Sequence, residues 1–252
     1  MVHVADLTQY IAELLAVDRF KDYGPNGLQI EGKKEINRIV CGVTACQALI
    51  DAAIEAKADA ILVHHGYFWK GEDPCLVGMK AGRVRSLFRA DLNLLAYHLP
   101  LDAHSELGNN AQLAKRLGFR IDGRFMGDAE TGIGMHGSLP KPMSGEMLSA
   151  HINSVLDRSP LHIKGNDRPI KRIAWCSGGA QGYIEQAVAL GVDAYLTGEV
   201  SEHTVHAARE YGIHFFAAGH HATERYGVQA LASHLADKFA IEQHYVDIGN
   251  PV

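Results

Sequence analysis

Apolar residues recur at helical spacing early in the chain, where Leu7, Ile11, Leu14 and Leu15 form one stripe behind Asp6. The stripe predicts an amphipathic helix near residues 6–18 with Asp6 as its N-cap. The turn-rich block Asp22-Tyr-Gly-Pro-Asn-Gly follows it. Beyond the turn the period changes. Arg38-Ile-Val-Cys-Gly-Val reads as a short buried strand, residues 46–57 as a helix, and Ala60-Ile-Leu-Val-His as a second buried strand. Strands alternating with helices specify an α/β fold with a mainly parallel, layered sheet.

The same grammar returns downstream as Arg172-Ile-Ala-Trp-Cys-Ser-Gly-Gly, a helix near 180–190, and Val192-Asp-Ala-Tyr-Leu-Thr-Gly. An ungapped overlay pairs Arg38 with Arg172, Ile39 with Ile173, Gln47 with Gln181, Asp59 with Asp193, Ala60 with Ala194 and Leu62 with Leu196, about eight identities in roughly 28 positions. In register through strand, helix and strand, this points to an internal duplication. A second correspondence sets His98 and Asp102 against His220 and Glu224, each a strand-end histidine followed four residues later by an acid. The expected organisation is a first α/β lobe over 1–118, a connecting insert over 119–170 with a helix near 144–157, and a second similar lobe over 171–252.

Composition narrows the class. With 252 residues, 47% of them hydrophobic, and a formal net charge of -5, the chain can bury a sizeable core and is neither disordered nor a disulfide-stapled miniature. The acidic balance does not indicate nucleic acid as a partner. No apolar run approaches the roughly 18 residues that would span a bilayer, and the first twenty residues do not read as a signal peptide. Cys41, Cys46, Cys75 and Cys176 form no zinc-finger spacing, so reduced thiols in a cytoplasmic protein are expected.

Histidine, at 15 residues, is the unusual feature. His64 and His65 end one strand, His98 a second and His220 a third, and in an open α/β sheet functional groups gather at the carboxyl ends of strands. Asp102 and Glu224 follow within a turn. His64, His65, Asp102, His220 and Glu224 therefore outline a metal site. Neighbouring strand residues face opposite ways, so His64 and His65 suit different ions, and either Glu224 or Asp102 could bridge two cations. A dinuclear centre is favoured. His98 is assigned an orienting or proton-shuttling part, and His221 a turn or supporting one. His3, His104, His136, His151, His162, His234 and His244 read as surface or structural.

Five blocks, Asp22-Tyr-Gly-Pro-Asn-Gly-Leu-Gln29, His64-His-Gly66, His98-Leu-Pro-Leu-Asp-Ala103, Thr197-Gly-Glu199 and Gly219-His-His-Ala-Thr-Glu224, resemble the Nif-three-like family, also labelled GTP cyclohydrolase I type 2. The resemblance spans essentially the whole chain. It implies that His64, His65, Asp102, His220 and Glu224 bind two divalent ions with Glu224 as the bridge. It also implies an α/β fold of two similar lobes and a ring-shaped homohexamer.

Two divalent ions would attract a small anionic or nucleotide-like molecule and activate water, which makes hydrolysis the natural chemistry. Glu224 is then catalytic as well as ligating, and Glu199 is either a general acid/base or an acceptor for a ligand histidine. Asn26 and Gln29 are candidate substrate contacts, Tyr67-Phe-Trp-Lys70 a candidate stacking and anion-binding run, and Ser177-Gly-Gly-Ala-Gln-Gly182 a candidate anion cradle. Two other functions compete with hydrolysis. One is a non-enzymatic metal-binding ring serving as a scaffold in a stress or damage response, and the other is a redox role. The donor types do not choose among Zn, Mn, Fe, Ni and Co.

Overall fold

In the computed structural model, which describes residues 1–252, strands fall on the apolar runs and helices on the spaced stripes. The chain begins with β1 (Val2–His3), α1 (Val4–Leu14), β2 (Gly27–Ile30), β3 (Glu35–Ile36), β4 (Arg38–Thr44), α2 (Gln47–Glu55), β5 (Ala60–His65), α3 (Gly78–Arg89), β6 (Asn93–Ala96) and α4 (Leu99–Ala103). Next come α5 (Asn109–Leu117), β7 (Arg120–Phe125), β8 (Gly134–Met143), α6 (Gly145–Leu156), β9 (Leu161–Ile163), β10 (Ile170–Trp175), α7 (Ile184–Ala189), β11 (Ala194–Thr197), α8 (Glu202–Tyr211) and β12 (His214–Ala217). Then α9 (His220–Phe239) and β13 (Glu242–Tyr245) follow. No helix is long and apolar enough to cross a membrane.

The chain divides into two units, Met1–Leu101 with Gly227–Ile248, and Asp102–Tyr226 with Gly249–Val252. The first holds a five-stranded sheet in the order β13-β4-β5-β6-β2, parallel except for the edge strand β2. Val40, Ile61, Val63 and Leu94 pack with Leu49, Ile50 and Ala53 of α2 and with Val84 and Leu87 of α3. Helix α1 starts at Val4 rather than after Asp6, because the extended His3 of β1 supplies the cap and accepts the Ala5 N–H through its side chain. Leu7 and Ile11 are fully buried, and Tyr10 packs edge-on against Phe239 at 5.2 Å between ring centroids.

The second unit holds a six-stranded sheet, β7-β8-β10-β11-β12-β9, whose central strands β10, β11 and β12 are parallel. Side chains alternate between two buried faces. Ile173, Trp175, Leu196 and Phe216 join Leu113, Leu117, Leu148 and Ile152 of α5 and α6, while Ala174, Tyr195 and Phe215 join Ile184, Ala187 and Ala208 of α7 and α8. Burial on both faces explains why these strands read as nearly unbroken apolar runs.

These units do not coincide with the segments 1–118, 119–170 and 171–252 expected from the sequence. Residues 119–170 do not stand apart as a linker. They supply β7, β8, β9 and α6, with β8 pairing antiparallel to β10 and β9 to β12. Residues 102–118 go with the second unit, and residues 227–248 return to the first, where β13 covers the open edge of β4.

The duplication is written into the hydrogen bonds. Ile39 pairs with Ala60 and Cys41 with Leu62, just as Ile173 pairs with Ala194 and Trp175 with Leu196, at one constant offset. Asp59 Oδ2 accepts the backbone N–H groups of Asn37 and Arg38 at 2.8 and 3.0 Å, and Asp193 Oδ2 accepts those of Lys171 and Arg172 at 2.9 and 3.0 Å. Each aspartate therefore ties the head of its strand to the start of the preceding one. The ladder places His98 level with Gly219, not with His220, since Asn93 pairs with Ala60 where His214 pairs with Ala194.

Asp59 also takes Lys33 Nζ at 2.7 Å. Burial pushes its carboxyl up, but Lys33, Asn37 and Arg38 outweigh burial and hold it below the ordinary range. Removing it leaves two backbone donors without their acceptor, so Asp59→Ala should cost about 1–3 kcal/mol in urea unfolding at neutral pH. The more exposed Asp193→Ala should cost less. Because the folded pKa lies below the unfolded value of about 3.9, the contribution is complete above that pH and fades as pH falls through the folded value. The Asp59→Ala and wild-type stabilities should converge there.

Candidate functional site

Three histidines meet at the carboxyl ends of β5 and β6 in the first unit. His64, fully buried, and His65 end β5, and His98 follows β6. Their ring centroids lie 4.6, 5.1 and 5.7 Å apart, and one nitrogen from each falls within 4.8 Å of the other two. The pleat therefore does not separate His64 from His65 as adjacent strand residues would suggest, because the strand ends there.

What the rings touch fixes their tautomers. His64 Nδ1 lies 2.9 Å from the Tyr97 carbonyl, an oxygen that only accepts, so Nδ1 carries the proton and Nε2 the lone pair. His98 Nδ1 donates likewise to Asp22 Oδ1 at 2.6 Å. Burial pushes the Asp22 carboxyl up, but His98, Asn26 and the Tyr23 N–H prevail and hold it below its ordinary range. Asp22 Oδ2 also accepts the Leu99 N–H, which anchors the start of α4. Sequence reasoning did not single out Asp22 as the partner of His98. Its one signal was its place in the turn-rich block, where an aspartate that makes a turn looks the same as one that orients a histidine.

In the second unit, Asp102 near the end of α4 and Glu224 in the second turn of α9 are both buried. Asn109 and Ser177, both neutral, donate to Asp102 Oδ1 at 2.9 and 3.1 Å, which fixes the carboxylate without cancelling its charge. His220, one turn before Glu224, approaches Glu224 Oε2 with Nε2 at 3.1 Å and donates from Nδ1 to Glu199 Oε1 at 2.6 Å. Burial pulls the His220 pKa down, yet Glu224 and Glu199 raise it to about 9. Behind them Cys176 stays a thiol, pushed well above its usual value by burial and then by the charges of Asp102 and Glu224. Imidazole Nε2 atoms and buried carboxylate oxygens are a donor set that fits divalent first-row metals.

Residues 2–251 match the model of the Duf34/NIF3 (NGG1p interacting factor 3) family. The chain belongs to the DUF34/NIF3 family. It is 57% identical over 250 residues to a Pseudomonas aeruginosa protein named GTP cyclohydrolase 1 type 2 homolog, with 99% of each chain covered. It is 54% identical to the protein of that name from Vibrio cholerae, with 98% of each covered. The solved structure of protein ybgI, described as of unknown function, superimposes with a TM-score of 0.96 at 48% identity over all of both chains.

Several side chains of this DUF34/NIF3 chain take parts other than those the sequence suggested. Asn26 gives its amide to Asp22 and its oxygen to the His98 N–H, and Gln29 brackets Tyr67 through both ends of its amide. Both brace the turn. Tyr67 is buried with its hydroxyl on the Ala45 carbonyl, whereas Trp69 stands edge-on to His98 at 5.0 Å. Three N–H groups of the loop after β10 have acceptors within the chain. Ser177 N–H goes to Asn110, Gly178 N–H to Thr223 and Ala180 N–H to Thr197.

That loop also makes room for the donors. Gly178 has φ +67°, and a Cβ there would stand 2.1 Å from Glu224 Oε1 and 3.1 Å from His220 Nε2. Gly178→Ala should therefore lower stability by about 1–2 kcal/mol from the backbone alone, with displacement of Glu224 added to that. Gly179→Ala has no such neighbour, its Cβ meeting nothing closer than 3.7 Å, and should be much milder in the same thermal unfolding experiment.

Proposed function

We propose that this protein is a dinuclear metal-dependent hydrolase acting on an anionic, nucleotide-like substrate, with His64, His65, Asp102, His220 and Glu224 holding two divalent cations and Glu224 bridging them. The observation that carries the reading is the shared orientation of His64, His98 and His220. Each points Nδ1 at a carbonyl or carboxylate oxygen, the outer hydrogen bond that turns Nε2 toward a cation. Chain continuity supports a single set of donors, since Asp102 follows His98 by one turn on α4 and Glu224 follows His220 by one turn on α9.

When bound, the cations supply positive charge that polarises the group under attack and lowers the pKa of water toward about 7. The remaining work belongs to the chain. Glu199 and Asp22 position His220 and His98, and Glu224 Oε2 faces His220 Nε2 at 3.1 Å. His98 stands within reach of the other two histidines of its unit, so it either ligates or moves a proton beside them. Trp69, edge-on to His98, offers a flat apolar face for a base. Arg158 shares a cavity of about 420 Å³ with Glu199 and offers a cation for a phosphate. The relatives' printed name, GTP cyclohydrolase 1 type 2 homolog, agrees with a nucleotide substrate. The reading extends to a cytoplasmic homo-oligomer, a ring of six by family resemblance.

Metal content of untagged protein should come to about two ions per chain and fall in Glu224→Ala, and nucleotide hydrolysis should depend on the metal found. Less than one ion after reconstitution, or turnover indifferent to chelation, would refute the reading. Glu199→Ala removes the orienting partner of His220 rather than a ligand, so metal should bind about 10–100-fold more weakly by calorimetry.

A further inference from the structure

A second constellation lies apart from these donors, within the second unit, where β9 and β12 run beside the start of α6. A cavity of about 370 Å³ is lined by Ser144, Gly145 and Glu146, by His162 and His214, and by Lys164, Asn166, Asp167 and Arg168 at its rim. His162 stacks on Phe216 at 4.5 Å, and its Nε2 lies 3.0 Å from His214 Nδ1. His214 is 2% exposed, and its buried Nε2 has no hydrogen-bond partner. The Arg168 backbone lies close enough to influence the ring, but falls short of hydrogen-bond geometry.

The internal duplication supplies a control for this position. The residue level with His214 in the first unit is Asn93, whose side chain accepts the Gly32 N–H and donates to the carbonyls of Lys33 and Asp59. There the amide is fully used as a structural lock. In the second unit the lock is replaced by an imidazole with a nitrogen left over, lining a cavity large enough for a small ligand.

The neighbouring groups indicate which ligand. Helix geometry leaves the N–H groups of Gly145 and Glu146 without intrahelical acceptors, and the Ser144 cap takes only the Met147 N–H. Gly145 lets the imidazoles press against that helix start, since a Cβ there would meet His162 Cε1 at 2.5 Å and His214 Nδ1 at 2.9 Å. Lys164 pairs with Asp167 at 2.5 Å, but both are exposed, and such a pair contributes at most about 1 kcal/mol, so Lys164 is easily redirected. The Gly145 and Glu146 N–H groups, His214 Nε2, Lys164 and Arg168 can each donate to an anion, while the Glu146 and Asp167 carboxylates oppose one.

We propose that this cavity binds a tetrahedral oxyanion, the phosphate group of a small phosphomonoester, held by the first-turn N–H groups of α6, His214 Nε2–H, Lys164 and Arg168. Burial favours the neutral forms of both histidines. If His162 Nε2 donates to His214 Nδ1, the remaining proton of His214 rests on Nε2, where the oxyanion is its acceptor. This site stands whether or not the metal-dependent hydrolysis does.

The test titrates inorganic phosphate and, separately, glycerol phosphate into the full-length protein after chelator treatment, by calorimetry and by ¹⁵N–¹H spectra of the histidine side chains. Saturable binding that shifts the His214 resonances is expected. It should weaken about tenfold in His214→Asn, the order of one hydrogen bond to a charged group. It should weaken also in Lys164→Ala and Arg168→Ala, whose exposed positions leave folding intact, and tighten in Glu146→Gln. Equal affinities for the two probes assign free phosphate as sufficient, and tighter glycerol phosphate assigns the ester; both support the site. Absence of saturable binding by either probe, or binding unchanged in both Lys164→Ala and Arg168→Ala, would overturn it.

Discussion

The register of two short parallel ladders governs where everything else in this protein can stand. In each unit an aspartate accepts two consecutive backbone N–H groups at the head of the neighbouring strand, Asp59 from Asn37 and Arg38, Asp193 from Lys171 and Arg172. A slip by one residue would strip both donors of their acceptor and reverse the faces of an apolar strand. Six residues on from each aspartate (59 to 65, 193 to 199), at about 3.3 Å per residue, the chain reaches His65 at the end of β5 in one unit and Glu199 just past the end of β11 in the other. The chemistry is thus positioned from the opposite end of the sheet, about 20 Å away.

Much of this was legible in the amino-acid sequence, and the reasons differ from residue to residue. The central strands β4, β5, β10 and β11 were readable because burial on both faces leaves an apolar run that no solvated element would carry. The duplication was readable because the ladders kept their register, and with it Asp59, Ala60 and Leu62. The division into units was not, because edge strands such as β8 and β13 find their place by pairing with distant segments, which leaves no mark on their own composition. The equivalence drawn between His98 and His220 missed by one position, since a turn can take up a residue without altering the strands on either side.

Among the candidate site residues, the histidines and acids announced themselves by type, but their supports did not. Asp22, Asn109, Ser177 and the Tyr97 carbonyl each hold a donor in place. Three of the four are residue types that any turn or helix cap would use, and the fourth is a backbone atom. The pair His162 and His214 shows the reverse difficulty. One histidine of a stacked couple looks like any other on a strand until its register partner in the other copy proves to be an asparagine with every hydrogen bond made.

The return of residues 227–248 to the first unit has a consequence for the order of events during synthesis. β4 is made early, yet the strand that covers its edge, β13, leaves the ribosome only after residues 102–226 of the second unit. Until then the nascent first sheet presents a bare row of backbone donors and acceptors flanked by Ile39, Val40 and Cys41, the kind of edge that invites pairing with other chains. The usual N-terminal-first sequence is inverted here. The later-born unit can complete its sheet from its own contiguous residues, and the earlier-born one must wait for the chain to come back.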